Sequence, residues 1–536
     1  MRHARRLFDR IPHRDAPLWN AMFKGYSLNS LDEEVLALFR MVKDVGVMPN
    51  CFTFPLVLNA CIKTRAFSEG RHVHCAAIKT GFKGNPFVGT SLIEMYCCQG
   101  DLAAAYRAFG EVNERNVVVW TSMVKGYLLC GDVVAARRLF DLAPVRDAVL
   151  WNTMVVGYIE CGDMIAAGKL FDVMPDRDVI SWNTVLGGYA SCGDVGACER
   201  LFEEMGVRNV FSWNALLGGY LKSGRSVEIL ATFQRMLFED TVSPNDATLV
   251  TILSACARLG ALDIGKWVHV YAENNGYGEN LYVLNALMDM YAKCGIVENS
   301  VSLFLGMEKK DLISWNTIIN GLAIHGRGDD ALTMFQKMKD ANVQPDAITY
   351  IGILCACTHM GLILDGFSYF RSMTLDHSIM PQIEHYGCMV DLLARAGLLV
   401  QAFDFVKEMP MEADAVIWAS LLGACRLHKN IDLAEVALNR LIELEPRNPA
   451  NFVQLANAYG DARKWKDVAR LKAAMKDTGF RKQAGCSLIE CKGDVVEFYC
   501  LDERHHKTEK IYETLNSLTL LLTSHIPALD LDELDQ

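Results

Sequence analysis

VVVWTSMVKGYLLCGDVVAARRLFDLAPVRD (Val117–Asp147), AVLWNTMVVGYIECGDMIAAGKLFDVMPDRD (Ala148–Asp178) and VISWNTVLGGYASCGDVGACERLFEEMGVRN (Val179–Asn209) are one phrase written three times. Trp120, Trp151, Trp182 and Trp213 each stand thirty-one residues apart, and Cys130, Cys161 and Cys192 keep the same step. A fixed period of about 20–50 residues signals a stacked array, not one globular core. In the third copy Trp182, Val185, Leu186 and Tyr189 fall at i, i+3, i+4 and i+7, one face of an α-helix. Gly193 then tolerates the left-handed dihedrals of a helix stop, and Asp194 offers an N-cap to a following helix. Cys198, Leu201, Phe202 and Met205 repeat the helical spacing. Each unit is therefore expected to be helix–turn–helix. Two short helices cannot bury their apolar faces alone, so neighbouring units must stack into a solenoid.

The length of 536 residues would by itself suggest roughly three or four domains. The repeat overrides that expectation, because a solenoid grows without separate cores. No run of about 18 apolar residues occurs, so no membrane span is expected. The eighteen cysteines include no C-x-x-C pair, which removes the usual zinc knuckle, and no metal or other cofactor is expected. Most of these cysteines are read as small buried thiols in a reducing compartment. A formal net charge of −11 weighs against a strong electrostatic grip on nucleic acid, though it leaves room for a local basic groove.

ARRLFDRIPHRD (Ala4–Asp15) closely matches ARRLFDLAPVRD (Ala136–Asp147), so residues 1–15 are read as the second helix of a partial, truncated repeat. On that reading this basic start is not a targeting peptide, and no transit peptide is present in this sequence. Residues 16–414 then form about twelve tandem repeats. Long units ending in Pro-Asn or Pro-Asp (Ala16–Asn50, Val210–Asn245, Leu312–Asp346) rotate with variant long units (Cys51–Asn85, Asp246–Asn280, Ala347–Gln382) and with short ones.

This rotation, with Trp-Asn near the start of many units, resembles plant pentatricopeptide-repeat (PPR) proteins of the PLS class. The resemblance covers essentially the whole chain and implies an all-α, right-handed superhelical solenoid. Residues 415–483 resemble the two E-type repeats of that class, 484–520 resemble its E+ segment, and 521–536 read as an acidic solvated tail. His506 stands where the family often has Pro. Many relatives end in a DYW-type cytidine deaminase domain, whose zinc chemistry needs H-x-E and a later C-x-x-C. Neither motif occurs here, nor does H-E-x-x-H, a P-loop or G-x-S-x-G, so the chain is expected to lack catalysis.

What the resemblance implies is base recognition, about one base per repeat. The fifth residue of a unit would face the base and the last would assist it. Asn offers both donor and acceptor, Thr a rotatable hydroxyl, and Asp only acceptors. The family's pairing rule gives a pyrimidine for Asn20 with Asn50, A for Thr90 with Asn116, and G for Thr121 with Asp147. It gives U for Asn152 with Asp178, and C or U for Asn183 with Asn209 and Asn214 with Asn245. Asn285 with Asp311 and Asn316 with Asp346 again imply U, whereas Pro55, Val250, Ile351 and Gly387 specify little. The implied target is Y-x-A-G-U-Y-Y-x-U-U-x-x. Second-position residues Phe87, Val118, Val149, Ile180, Phe211, Tyr282 and Ile313 would sandwich the bases.

The implied function is a single-stranded RNA-binding factor that selects cytidines for C-to-U editing in mitochondrial or chloroplast transcripts. Its E and E+ regions would recruit a DYW-type deaminase in trans, and multiple organellar RNA editing factor proteins would assist. The alternatives are an organellar RNA splicing, stability or processing factor, and a protein–protein scaffold. On these alternatives a fifth-position Asn does no more than cap a helix. The tryptophans are read as packing residues, His74 and His269 as inter-helix hydrogen-bonding groups, and His505 and His506 as surface residues.

Overall fold

The computed structural model describes residues 1–12, 14–239, 242–446, 448–461, 463–477, 486–491, 494–499, 508, 510–515 and 517. The third copy of the repeated phrase is two helices, Val179–Cys192 and Val195–Glu204; such a pair is called A and B below. Gly193 adopts φ +77°, and its N–H and that of Asp194 donate back to the carbonyls of Ala190 and Tyr189, a Schellman stop. Asp194 Oδ1 accepts from the Ala197 amide at 3.0 Å, starting the B helix. Asp101, Asp132 and Asp163 start the equivalent helices in the same way. Met205 lies one residue past its B helix, in extended conformation, yet remains buried.

Within each compact unit, an A helix packs on its own B helix and on the next A helix. Close approach between A helices depends on small residues. A Cβ at Gly126 would meet Cys97 Sγ at 2.2 Å, and one at Gly157 would meet Leu128 Cδ2 at 2.4 Å. Where the following repeat carries the tryptophan, an aromatic contact joins it to the repeat before. Phe140 meets Trp151 edge-on at 4.8 Å, and Phe171 meets Trp182 at 4.9 Å. Arg146 closes the joint: its Nε and Nη2 donate to the carbonyls of Phe140 and Asp141 at 2.9 and 2.8 Å, and its guanidinium lies 5.1 Å from the Phe140 ring centre. The last carbonyls of a helix have no partners within it and carry the negative end of its dipole, so a guanidinium there is stabilising. Arg14, Arg115 and Arg208 make the same bond to Phe8, Phe109 and Phe202. The repeated tryptophans are thus packing residues, as expected.

The chain divides into two compact units, Met1–Arg225 and Ser226–Gln536. In the first, one continuous core runs from Phe8 through Trp19, Leu58, Leu92, Phe140 and Trp151 to Val185. In the second, the same helical hairpins bury Phe304, Trp315, Ile318 and Phe335, and further on Val390, Leu421, Leu438 and Tyr459. The repeats are all-α. Beyond them Cys486–Cys491 and Asp494–Tyr499 pair as a two-stranded antiparallel ribbon, with Cys486 opposite Tyr499. The acidic tail, His505 and His506, and much of the 484–520 segment lie outside the described residues. No described helix is long and apolar enough to cross a membrane.

His74 and His269 behave as expected, their Nδ1 atoms lying 2.8 and 2.9 Å from the hydroxyls of Tyr96 and Tyr291. The recurring cysteines do not. Cys130, Cys161 and Cys192 are exposed, because each sits at the end of an A helix beside a left-handed glycine, where the chain turns in solvent. The buried thiols are others. Burial pushes Cys61, Cys97 and Cys357 up to about 12.

Candidate functional site

The last residue of a repeat has a structural task before any other. Asn116, Asp147, Asp178, Asn209, Asn245, Asp311 and Asp346 are the N-caps of the A helices that follow them. Asn50 does the same work two residues ahead of the N-cap position Phe52, its Oδ1 accepting from the amides of Phe52 and Thr53 at 3.0 and 3.1 Å. Capping therefore falls to the last residues and not to the fifth-position asparagines.

Instead, the fifth-position asparagines reach the caps. Asn20 Nδ2 donates to Asn50 Oδ1 at 3.0 Å, and Asn183 Nδ2 to Asn209 Oδ1 at 3.0 Å. Asn285 Nδ2 donates to Asp311 Oδ1 at 3.3 Å, and Asn316 Nδ2 to Asp346 Oδ1 at 2.9 Å. Asn152 is likewise hydrogen-bonded to the Asp178 carboxylate. Residues 26 to 30 apart in sequence are thus held as pairs, with each amide orientation set by its partner. The threonines are different. Thr90 and Thr121 donate their hydroxyls to the carbonyls of Pro86 and Val117, both at 2.8 Å, one turn back in their own helices. They are not bonded to Asn116 or Asp147. Asn214 and Asn245 fall in different compact units; Asn245 caps its helix through the Thr248 amide at 3.0 Å.

Two of these carboxylates, Asp178 and Asp311, are held ionised. In Asp178 the hydrogen bond from the Ser181 hydroxyl, then that from its amide, lowers the pKa, with Asn152 adding to the effect. Burial pushes Asp311 up, but hydrogen bonds from the Ser314 hydroxyl and amide and from Asn285 outweigh it, and the net shift is downward.

Second-position side chains stand out from the same helix starts. Phe87, Val118, Val149, Ile180, Phe211, Tyr282 and Ile313 are between 54% and 68% exposed, although apolar. Phe52, Ile348 and Val416 occupy the same position and are exposed as well; counting from each repeat start would have found them. Around Asn316 and Asp346 the parts close into a cavity of about 410 Å³, flanked by Ile313 and Ile348 and bordered by Lys293, Asn320 and His325. Such a slot offers two apolar side chains and an amide–carboxylate pair. Sequence reasoning missed a third participant, the hydroxyl three residues after the cap. Thr53, Ser212 and Thr349 donate to the Oδ1 of Asn20, Asn183 and Asn316 at 2.7, 2.7 and 2.5 Å. Among the described residues no group of His, Cys, Asp and Glu is arranged to hold a metal ion.

Three kinds of similarity bear on this arrangement. The E motif family matches residues 428–490, and the PPR repeat family matches residues 310–359. The PPR repeat also matches residues 18–47, 118–144, 149–179, 180–210, 211–240, 282–312 and 384–412. In Arabidopsis thaliana, the chloroplastic pentatricopeptide repeat-containing protein At1g08070 is 39% identical over 556 residues, spanning 96% of this chain and 75% of that protein. At2g20540 is 39% identical over 98% of this chain and 86% of its own length. The mitochondrial protein At2g22410 is 36% identical over 99% of this chain and 68% of its own length. The crystal structure of the pentatricopeptide repeat protein PPR10 from maize shares the fold, with TM-score 0.53 and 18% identity over 87% of this chain and 75% of that one.

Proposed function

This chain belongs to the plant pentatricopeptide-repeat (PPR) family, and we propose that within it the chain is a sequence-specific binder of single-stranded RNA. The observation that carries the reading is the slot at Asn316. A base entering between Ile313 and Ile348 meets an amide whose orientation is set by Asp346, with water largely displaced on both faces. Apolar side chains accept the face of any base, and the amide edge selects among them. The remaining paired asparagines, with Thr90 and Thr121, extend this to a target of the form Y-x-A-G-U-Y-Y-x-U-U-x-x.

The function assigned to this binding is selection of a cytidine for C-to-U editing in an organellar transcript, mitochondrial or chloroplast; relatives bear both labels. The E motif match and the resemblance of residues 415–520 to E and E+ segments support recruitment of a DYW-type deaminase in trans. The multiple organellar RNA editing factor proteins are the expected helpers, and adding one should tighten RNA binding. The chain itself performs no catalysis in this scheme.

The test is a fluorescence titration with the target RNA beside a scrambled one. A double variant, Asn152→Thr with Asp178→Asn, is titrated against RNA in which the fifth base is changed from U to A. Binding should follow the swap, with each mismatch costing roughly tenfold or more in affinity. If neither RNA binds, even with a helper present, the reading fails. The net charge of −11 then points to a protein partner and a scaffold role.

A further inference from the structure

Five asparagines at the fifth position share the Nδ2-to-cap bond, but their Oδ1 atoms differ. In Asn20, Asn183 and Asn316 the Oδ1 accepts a hydroxyl from the third residue of the next repeat. In Asn152 and Asn285 the Oδ1 is buried and has no partner. The cause is visible. Ser181 and Ser314 turn their single hydroxyl proton to the ionised cap, at 2.7 Å from Asp178 Oδ1 and 2.7 Å from Asp311 Oδ1. Thr349 faces an Asp cap too, yet its hydroxyl lies 2.5 Å from Asn316 Oδ1 and 2.9 Å from Asp346 Oδ1. Thus Asn285–Asp311 and Asn316–Asp346 are identical pairs in different hydrogen-bond states.

We propose that the third residue of each repeat is a positioning residue for the reader of the repeat before it, setting how strongly that reader discriminates U from C. The proposal rests on the RNA-binding reading above. Uracil presents a donor at N3–H where cytosine presents an acceptor at N3. An Asn whose Nδ2 is tied to its cap and whose Oδ1 is unengaged offers the base a strong acceptor, which uracil satisfies and cytosine repels. A buried acceptor left without a partner is costly, so its satisfaction by uracil N3–H is correspondingly favourable. When a hydroxyl already occupies the Oδ1, that advantage shrinks. Readers Asn152 and Asn285 are therefore sharp for U, and Asn316 is tolerant, although the cap residue is Asp in all three.

The experiment uses the full chain and synthetic RNAs of the target form, with U or C at the ninth base (opposite Asn285) or the tenth (opposite Asn316). The U-over-C affinity ratio should be about two- to tenfold larger at the ninth base than at the tenth. Thr349→Val keeps the β-branched shape but removes the hydroxyl. It should raise the ratio at the tenth base to that of the ninth and leave the ninth unchanged. Thr349→Ser, which reproduces the residue found at Ser314, should do the same. A change in overall affinity or in melting temperature alone would be a structural effect and does not count in favour. Equal ratios at the two bases, unmoved by either variant, would overturn the proposal while the target RNA is still bound over the scrambled one. Loss of preference for the target over the scrambled RNA in the unmodified chain would overturn the RNA-binding reading, and this proposal with it. The wild-type comparison of ninth and tenth bases decides the matter even if a variant fails to fold.

Discussion

At the level of single residues, one carboxylate does two things: Asp178 caps a helix and holds Asn152, and Asp311 caps a helix and holds Asn285. Both depend on ionisation, because a protonated carboxyl gives up acceptor capacity that the amide, hydroxyl and side-chain donors now use. The pKa of each is lowered from an ordinary 3.8, so the unfolded chain takes up the proton first as pH falls. The stabilisation is then fully present above about pH 4 and is lost as pH drops through the lower, folded-state value. Melting temperature compared between the wild type and an Asp178→Asn, Asp311→Asn double variant should show a gap that is constant from about pH 7 to pH 5 and narrows below about pH 4. A gap that widened on acidification would mean that these carboxylates are strained rather than satisfied. The sequence contained the pairs, since the family's rule links fifth and last residues. It did not contain the hydroxyl of Thr349 or Ser314, because choosing between two acceptors 2.5 to 2.9 Å away is a matter of local geometry.

Helices were legible because their period is written in the apolar residues, and their ends because Gly193 and Asp194 have specific backbone uses. The joints between repeats were not. Arg146, Arg177 and Arg208 recur visibly, but their partners are carbonyls five and six residues upstream at a helix end, which no side-chain pattern reveals. The recurring cysteines misled for a related reason: a fixed position in a repeat shows a fixed environment, and here that environment is solvent at a turn. Glycine carries the same lesson in a testable form. Gly126 and Gly187 both lie inside A helices, yet a Cβ at Gly126 would collide with Cys97 at 2.2 Å while one at Gly187 has nothing within 4 Å. Gly126→Ala should therefore destabilise by about 1–3 kcal/mol through overpacking of adjacent A helices. Gly187→Ala should be neutral or stabilise by up to about 1 kcal/mol, because alanine has the better helix propensity. Chemical denaturation of the two variants side by side checks the contrast. Equal effects would remove the close approach as the reason for glycine at that position.

Across the whole chain, the unusual property for the RNA binder proposed above is its charge: 53 Lys and Arg against 64 Asp and Glu. The structure makes the shortage of cations more severe than composition alone suggests. Arg14, Arg115, Arg146 and Arg208 are bound to the carbonyls that end B helices and lie over phenylalanine rings, so they are engaged in holding one repeat to the next. Releasing one of them to meet a phosphate would uncap a helix and lose a cation–π contact, a cost of the same order as the phosphate contact would return. On the proposed function, affinity then comes mainly from bases held between apolar side chains and read by amides. That division has a thermodynamic signature. Each phosphate neutralised on a single strand contributes about −0.7 to the slope of log K against log salt. With phosphate contacts subordinate in this way, the slope should be of small magnitude, below about 3, over the target RNA. Titrations of the target RNA between about 50 and 300 mM salt would measure it. A slope near −6 or steeper would mean that phosphate contacts dominate after all, which requires either the helix-capping arginines to leave their posts or a basic helper to supply the charge. Repeating the titration with Arg146→Leu separates these, because only in the first case does the slope become shallower.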